Sequence, residues 1–300
     1  MNIKNSKRVI ILLFCFCIIG CGVTEQETFE SEYILESYLI ALEPLPEVRL
    51  SRTVPFGQPY YFERQAVSRA SVQIKLLDKN GTVSQVYPYV QIIDGIYLST
   101  KSGAVVQPNR TYELTVTFDN NEDFLQATTI VPDSFSIIKV NRFLTEFQSK
   151  EQVEITVTRS FYPGRQNIFL LSTESLNPKL EELTPFLKDF FDPEEDDLKD
   201  FIIHESPPFN EGNYDLNEDG TLTIKIPWIA INFFGPNKIS VNAIDDNFFD
   251  FIRSRDIQIR GSTLSPGEIP AIIEHVDGGT GIFASLSRVS VEILVTRPNP

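Results

Sequence analysis

The chain has 300 residues but only two His, three Cys, one Met and one Trp, and its 26 Lys+Arg face 41 Asp+Glu, a net charge of −15. Each scarcity excludes something. Two His and three Cys cannot supply a zinc or iron–sulfur site rich in those ligands. The deficit of basic residues argues against nucleic acid as a partner and against an electrostatic grip on anionic lipid head groups. A membrane-spanning run is also missing from the N-terminus, where the apolar stretch Val9 to Ile19 reaches only about 16 Å as a helix, half a bilayer core. What is present is ample: 42% of residues are hydrophobic and 23 are Phe. That excludes a disordered chain and suffices for about two domains with substantial cores.

The first twenty residues have the layout of an export signal. Lys4, Lys7 and Arg8 precede the apolar stretch, no acidic residue occurs before position 21, and the stretch ends in Ile18-Ile19-Gly20-Cys21. This ending looks like a bacterial lipobox, in which a small residue admits the signal peptidase and the following thiol takes up a diacylglycerol. Residues 1–20 are thus read as a signal peptide, Cys21 as the lipidated residue, and 21–32 as an acidic tether. Cys15 and Cys17 leave with the signal, so the mature chain has no disulfide and its net charge becomes −18. Stability must then come from burial alone. Multiple acyl chains hold a protein to a membrane where one does so only marginally.

From residue 33 the pattern is β. Ala70 to Leu76 alternates apolar and polar residues, Asp78-Lys-Asn-Gly81 makes a turn, Asp94-Gly95 makes another, and Tyr112, Leu114, Val116 and Phe118 alternate with Glu113, Thr115 and Thr117. Ala127 to Val131 closes the series at Pro132. About seven short strands in 100 residues is the pattern of an immunoglobulin-like sandwich. Tyr112, after Pro108-Asn-Arg-Thr, either bonds back to the preceding corner or is an ordinary buried Tyr. Alternation resumes around Val153–Val157, Leu222–Trp228, Ile239–Ala243 and Val289–Val295, and Ile168 to Leu171 reads as a central strand. Leu180, Leu183, Leu187 and Phe190 recur at helical spacing, and Asp192-Pro193 offers a cap for a second short helix. A further short helix is expected over Asp245 to Arg253. The expected fold class is mainly all-β: an immunoglobulin-like β-sandwich over 33–132, then a second β-sandwich-like domain over 133–300 with a helical insertion around 179–201.

Few residues suggest chemistry. Asp215-Leu-Asn217-Glu-Asp219-Gly220 matches the first half of a calcium loop, but position 12 is Ile226 where a bidentate Glu belongs. The same residues suit a tight hairpin, which is the first reading; a weak calcium site through Asp215, Asn217 and Asp219 is the second. No other cofactor is indicated. Gly278, Gly279 and Gly281 lack dinucleotide spacing and a phosphate-loop Lys, and are expected to serve a tight backbone approach or a bulge. No G-x-S-x-G is present and His204 and His275 are isolated, so no nucleophilic site is expected. Paired carboxylates of a carbohydrate-active hydrolase are not singled out by any spacing. Two aromatic clusters, Pro59-Tyr60-Tyr61-Phe62 and Phe248-Phe249-Asp250-Phe251, are either core or contact surface.

Taken in order, the lipobox, Tyr38-Leu-Ile-Ala, Val48-Arg-Leu-Ser-Arg-Thr53, Ala70-Ser-Val-Gln-Ile, Gly95-Ile-Tyr97, Pro108 to Val116, Ala127 to Pro132 and Val276-Asp-Gly-Gly-Thr-Gly-Ile-Phe-Ala284 form a distinctive series. It resembles the domain-of-unknown-function family 4249, outer-membrane lipoproteins of Bacteroidota and related bacteria. The resemblance implies an accessory role beside TonB-dependent outer-membrane receptors in uptake, and it transfers no catalytic residue. The expected protein is a non-enzymatic lipoprotein of the bacterial envelope, with a small-molecule or glycan ligand left open. The alternatives are a surface adhesion or structural module and a carbohydrate-active hydrolase. Replacing the one acylated thiol tests the anchor: Cys21→Ser is expected to move the protein out of the membrane fraction, and retention there on cell fractionation would refute the lipobox reading.

Overall fold

The computed structural model describes residues 29–119, 123–260 and 273–298, with side chains of 256–260 excepted. The signal peptide, Cys21 and most of the tether lie outside the described residues. Among those described, the first lobe contributes β1 (Tyr33–Ile40), β2 (Val48–Arg52), β3 (Ser71–Leu77), β4 (Val83–Ile93), β5 (Ile96–Ser99), β6 (Thr111–Thr117) and β7 (Phe124–Ile130). The second contributes β8 (Ile137–Val140), β9 (Leu144–Glu146), β10 (Glu154–Val157), β11 (Ile168–Ser175), β12 (Ile203–Glu205), β13 (Phe209–Asn210), β14 (Leu222–Lys225) and β15 (Gly235–Ile244). A helix over Asp246–Arg260 follows, then β16 (Val276–Asp277) and β17 (Thr280–Thr296).

Hydrogen bonding runs without a break along β12-β11-β15-β17-β1-β2-β5-β4-β3-β6-β7-β16, while β14-β10-β8 form a separate small sheet. The long path folds over at β4, whose first half pairs with β3 and whose second half, from Tyr89, pairs with β5. The two layers so formed enclose the first core. Val72, Ile74 and Leu76 of β3 with Tyr112, Leu114 and Val116 of β6 face Leu35 and Leu39 of β1 and Val48 and Leu50 of β2. These are the inward positions that the alternation marks, and each such side chain contributes about 1.5–3 kcal/mol on burial. Tyr112 is fully buried and its hydroxyl accepts the Gln107 N–H at 2.8 Å, so the corner arrangement is present.

The second core is built the same way. Ile155 and Val157 of β10 and Leu222 and Ile224 of β14 lie over Phe169 and Leu171 of β11, Ile239 and Val241 of β15, and Ile293 and Val295 of β17. Phe147 adds an aromatic knot, edge-on to Phe186, Trp228 and Phe234 at 5.5–5.8 Å.

One strand belongs to both lobes. β17 pairs in parallel with β1 from Thr280 to Leu286 and antiparallel with β15 from Leu286 to Val295. Its odd-numbered residues share one face: Phe283 enters the first core, and Ile293 and Val295 enter the second. Both smaller layers therefore cover the same side of one long sheet. The first lobe is accordingly discontinuous in sequence, since Val276 and Phe283 complete a core otherwise built from residues 33–132. The expected division into 33–132 and 133–300 misses this return because alternation continues through all of β17 with no turn to mark the passage between lobes.

The glycine segment makes the return possible. β16 pairs with β7 in one layer and β17 pairs with β1 in the other, so Gly278 and Gly279 carry the chain across the edge of the sandwich. A Cβ on Gly278 would sit 2.0 Å from the Phe124 carbonyl oxygen, one on Gly279 2.6 Å from Leu125 Cδ2, and one on Gly281 2.1 Å from the Leu35 carbonyl oxygen. Gly281 also has φ +115, a region closed to other residues.

The insertion around 179–201 differs from the expected helical pair. It holds single turns at Leu180–Glu182, Pro185–Lys188 and Leu198–Phe201. Pro185 explains the break: the residue before a proline avoids the helical region, and Thr184 is extended at φ −70, ψ 156. Leu183 and Thr184 are consequently buried while Phe190, which helical spacing would place beside them, is 82% exposed. Likewise Pro227 ends β14 before Trp228, which begins a short 3-10 turn. Asp245 to Arg253 is the start of a longer helix, not the whole of one.

The glycine crossing generates a test. Gly281→Ala should cost roughly 3 kcal/mol and lower the melting temperature by several degrees. Gly57→Ala, at φ +82 with nothing within 4 Å, should cost only about 1 kcal/mol. Equal losses in thermal melts of the two variants would mean that the crossing is not sterically constrained.

Candidate functional site

At the seam between the cores, three polar side chains lie buried together. Thr129 on β7, Asp245 at the end of β15 and Ser285 on β17 are 2%, 0% and 0% exposed. Asp245 Oδ2 is 2.5 Å from Thr129 Oγ1, Thr129 Oγ1 is 2.6 Å from Ser285 Oγ, and Ser285 Oγ donates to the Ile130 carbonyl at 2.9 Å. Two hydroxyl hydrogens cannot serve three links whose last acceptor is a carbonyl. With the carboxyl ionised, Thr129 donates to Asp245 Oδ2; with a proton on Asp245 the acid donates to Thr129, Thr129 to Ser285 and Ser285 to Ile130, and all three links are served. Burial acts in the same direction, raising the carboxyl from 3.8 to about 7 against the lowering effect of its hydrogen bonds.

The same residue caps the long helix. Asp245 Oδ1 accepts the Phe248 N–H at 2.9 Å, and the next two residues tie down both lobes. Asp246 pairs with Arg165 Nε at 2.5 Å beside Tyr162, and Asn247 Nδ2 donates to the carbonyls of Thr128 and Phe283. The cluster is a closed polar plug out of reach of any substrate, and its chemistry is that of a joint.

The residues singled out by sequence fall in separate places, Asn217 and Asp219 meeting at the Thr221 hydroxyl and the three glycines lying at the strand crossing. Asn217–Gly220 closes a turn, with Asn217 N donating to Thr221 O and Gly220 N to Asn217 O, as the hairpin reading requires. Asp219 Oδ1 accepts both the N–H and the hydroxyl of Thr221, which lowers its pKa, and Ile226 is in the second core. Among the described residues no group of three or more His, Cys, Asp or Glu side chains is placed to hold a metal ion. Gly278, Gly279 and Gly281 serve the strand crossing. His204 has its pKa lowered by burial, and His275 pairs with Asp250 at 3.0 Å.

Several openings are accessible among the described residues, and one of them is lined by Asn217 and Asp219 together with Thr221 and Thr223. A polar groove beside the small sheet holds Glu151 paired with Arg142 and Glu154 at 3.3 Å from Lys225, and no aromatic side chain lines it. An apolar depression of about 250 Å³ in the inserted segment is formed by Phe186, Leu187, Phe190, Phe201 and Ile229 around His204. A cleft of about 350 Å³ lies on the face of the long sheet away from the two cores, between β1, β11, β15, β17 and the long helix. Of the two expected aromatic clusters, Phe248 and Phe249 pack on Ile168, Leu170, Ile244 and Leu286. Tyr60 donates to Ser51, and Arg49 and Arg64 lie over the rings of Phe62 and Tyr61.

The fold and its openings define a two-lobed β-sandwich scaffold with no helix, among the described residues, long and apolar enough to cross a membrane. Sequence comparison is more specific: the profile of a family described as "Domain of unknown function (DUF4249)" matches residues 23–292, and the chain belongs to that family. No curated protein matches the chain in sequence. Similar solved structures include trypsin-activated α2-macroglobulin from Escherichia coli, 11% identical over 89% of this chain and 16% of that one, with a TM-score of 0.22. Salmonella α2-macroglobulin reacted with methylamine is 11% identical over 89% and 15%, with a TM-score of 0.24. A tetra-tandem repeat in the extending region of a large adhesion protein is 10% identical over 87% and 49%, with a TM-score of 0.20. The chain spans about a sixth of the first two and half of the third, and nothing is transferred from them.

The buried proton gives a pH dependence. The folded pKa of Asp245, about 7, lies above the unfolded 3.8, so its contribution to stability is complete below pH 3.8 and is lost as pH rises through 7. Asp245→Asn keeps a donor to Thr129 and an acceptor for Phe248 without titrating. In urea unfolding, the wild-type stability should fall relative to this variant by on the order of 2–4 kcal/mol between pH 4 and 8. A difference that stays constant over that interval would show that the acid is ionised in the fold.

Proposed function

We propose that this protein is a non-catalytic accessory lipoprotein of the bacterial envelope, held by acyl chains on Cys21 and working with a TonB-dependent outer-membrane receptor in nutrient uptake. The observation that supports this reading best is the apolar depression of the inserted segment. Phe190 and Ile229 are 82% and 62% exposed there. Phe190 sits in a stretch, 179–201, that carries nine acidic and three basic residues, and Ile229 faces it from the turn Trp228–Ala230. An aromatic centre within a charged rim is the anatomy of a partner interface. Lys179–Phe201 is also held firmly enough to present it, since Thr184 N and Oγ1 donate to the carbonyls of Asn232 and Ile231. Acyl chains, not charge, are what hold so anionic a chain at a membrane.

The experiment is co-purification from detergent-solubilised membranes of the native host. The wild-type protein should retrieve an outer-membrane receptor, and the exposed double variant Phe190→Ser/Ile229→Ser should lose it by about tenfold or more at a nearly unchanged melting temperature. Recovery of no receptor by the wild type would refute the uptake reading. Recovery undiminished by the variant would move the contact elsewhere on the surface.

A further inference from the structure

The cleft beside the long helix has walls and charges of a kind found nowhere near the joint or the apolar depression. Even-numbered strand residues point into it because odd-numbered ones fill the cores: Tyr38 from β1, Leu170 from β11, Asn242 from β15, and Leu286 and Arg288 from β17. The helix closes the opposite wall with Phe248 and Phe251, and the Phe248 ring lies 5.5 Å from that of Tyr38. The floor is therefore apolar and aromatic, and its volume of about 350 Å³ suits one small molecule.

Three charged side chains line the same space: Arg255 from the helix, Arg288 from β17 and Glu205 from β12. Arg288 Nε donates to Asn242 Oδ1 at 2.7 Å, which holds the side chain against the wall of the cleft it lines and leaves its terminal nitrogens unused by that bond. Among the described residues Arg255 and Glu205 form no ion pair, either with each other or with Arg288. The Tyr38 hydroxyl stands between the two signs of charge, with its pKa pushed up to about 12 by burial and by Glu36 and Glu205, and drawn down by Arg255.

From this arrangement we infer that the cleft binds a free α-amino acid with a large apolar side chain. Two guanidinium groups present planar donors matched to a carboxylate, Glu205 accepts an ammonium group, and Phe248, Phe251 and Leu170 cover the side chain. The global field selects the same class. A chain of net charge −15 repels a simple carboxylate, two arginines repel a simple amine, and a zwitterion meets neither penalty. This site is separate from the proposed receptor face and stands or falls independently of it.

Calorimetric titration of the detergent-solubilised full-length protein tests the assignment. The probes are L-phenylalanine, phenylacetate, which lacks the ammonium group, and phenethylamine, which lacks the carboxylate. L-Phenylalanine should bind saturably, and each truncated analogue should bind about tenfold or more weakly, the loss expected for one charged hydrogen-bonded contact. Arg255→Gln, on an exposed side chain, should weaken L-phenylalanine by about tenfold or more with the melting temperature unchanged. No saturable heat with L-phenylalanine or L-leucine up to about 10 mM would overturn the proposal, since that bounds the free energy below the range of a specific site. Phenylacetate binding as tightly as L-phenylalanine would overturn the zwitterion, and affinity unchanged by both Arg255→Gln and Phe251→Ala would overturn the location.

Discussion

Backbone pairing along β17 is the constraint on which the rest of the structure depends. Its first half hydrogen-bonds to β1 and its second half to β15, so neither core can close without it. A strand has one side-chain period, and a single unbroken strand therefore commits both lobes to the same face of the long sheet. The opposite face is left for the helix and the cleft, and the place where the lobes meet is fixed to the few residues around Ser285. Position along one strand thus determines which residues become core, joint or cleft.

The joint is polar because geometry leaves no apolar alternative. Where β15 ends and β7 approaches, the helix must begin, and its first N–H groups need acceptors out of water. Asp245 supplies one as a cap, but a carboxylate buried without a cation is expensive, and Arg165 pairs with Asp246 instead. Holding the proton on Asp245 resolves the conflict and uses Thr129 and Ser285 as a relay to a backbone carbonyl. A buried group of this kind specifies one alignment of β7 against β17, because a register slip would orphan all three side chains.

Much of the architecture is legible in the residues. The alternation of Val72, Ile74 and Leu76 and of Tyr112, Leu114 and Val116 marks the first core, and Pro108 to Tyr112 marks its corner. Family membership is legible too, through Val276 to Ala284. The glycines there are conspicuous, but their reason emerges only with β1 and β7 in place, since each is required by a backbone atom distant in sequence. The helical spacing of Leu180 to Phe190 misleads because Pro185 interrupts it. The seam is hidden for a different reason: Ser285 and Thr129 are polar residues at core-facing positions, and a pattern rule reads such positions as errors or as solvent. Tyr38, Arg255, Arg288 and Glu205 come from four elements and share no spacing, so nothing in the linear order draws them together.

The parallel pairing of β1 with β17 also has a mechanical side. β1 starts at Tyr33, directly after the stretch that leads back to Cys21, and it runs in the same direction as its neighbour. A load along the axis of β1 puts the ladder from Ile34 to Leu286 in shear, and its hydrogen bonds then share the force together. Peeling one bond at a time requires a pull across the sheet instead, and β1 is paired on both sides, by β17 and by β2. Under a load along its axis, a strand paired in this way yields only when a whole row of bonds gives at once.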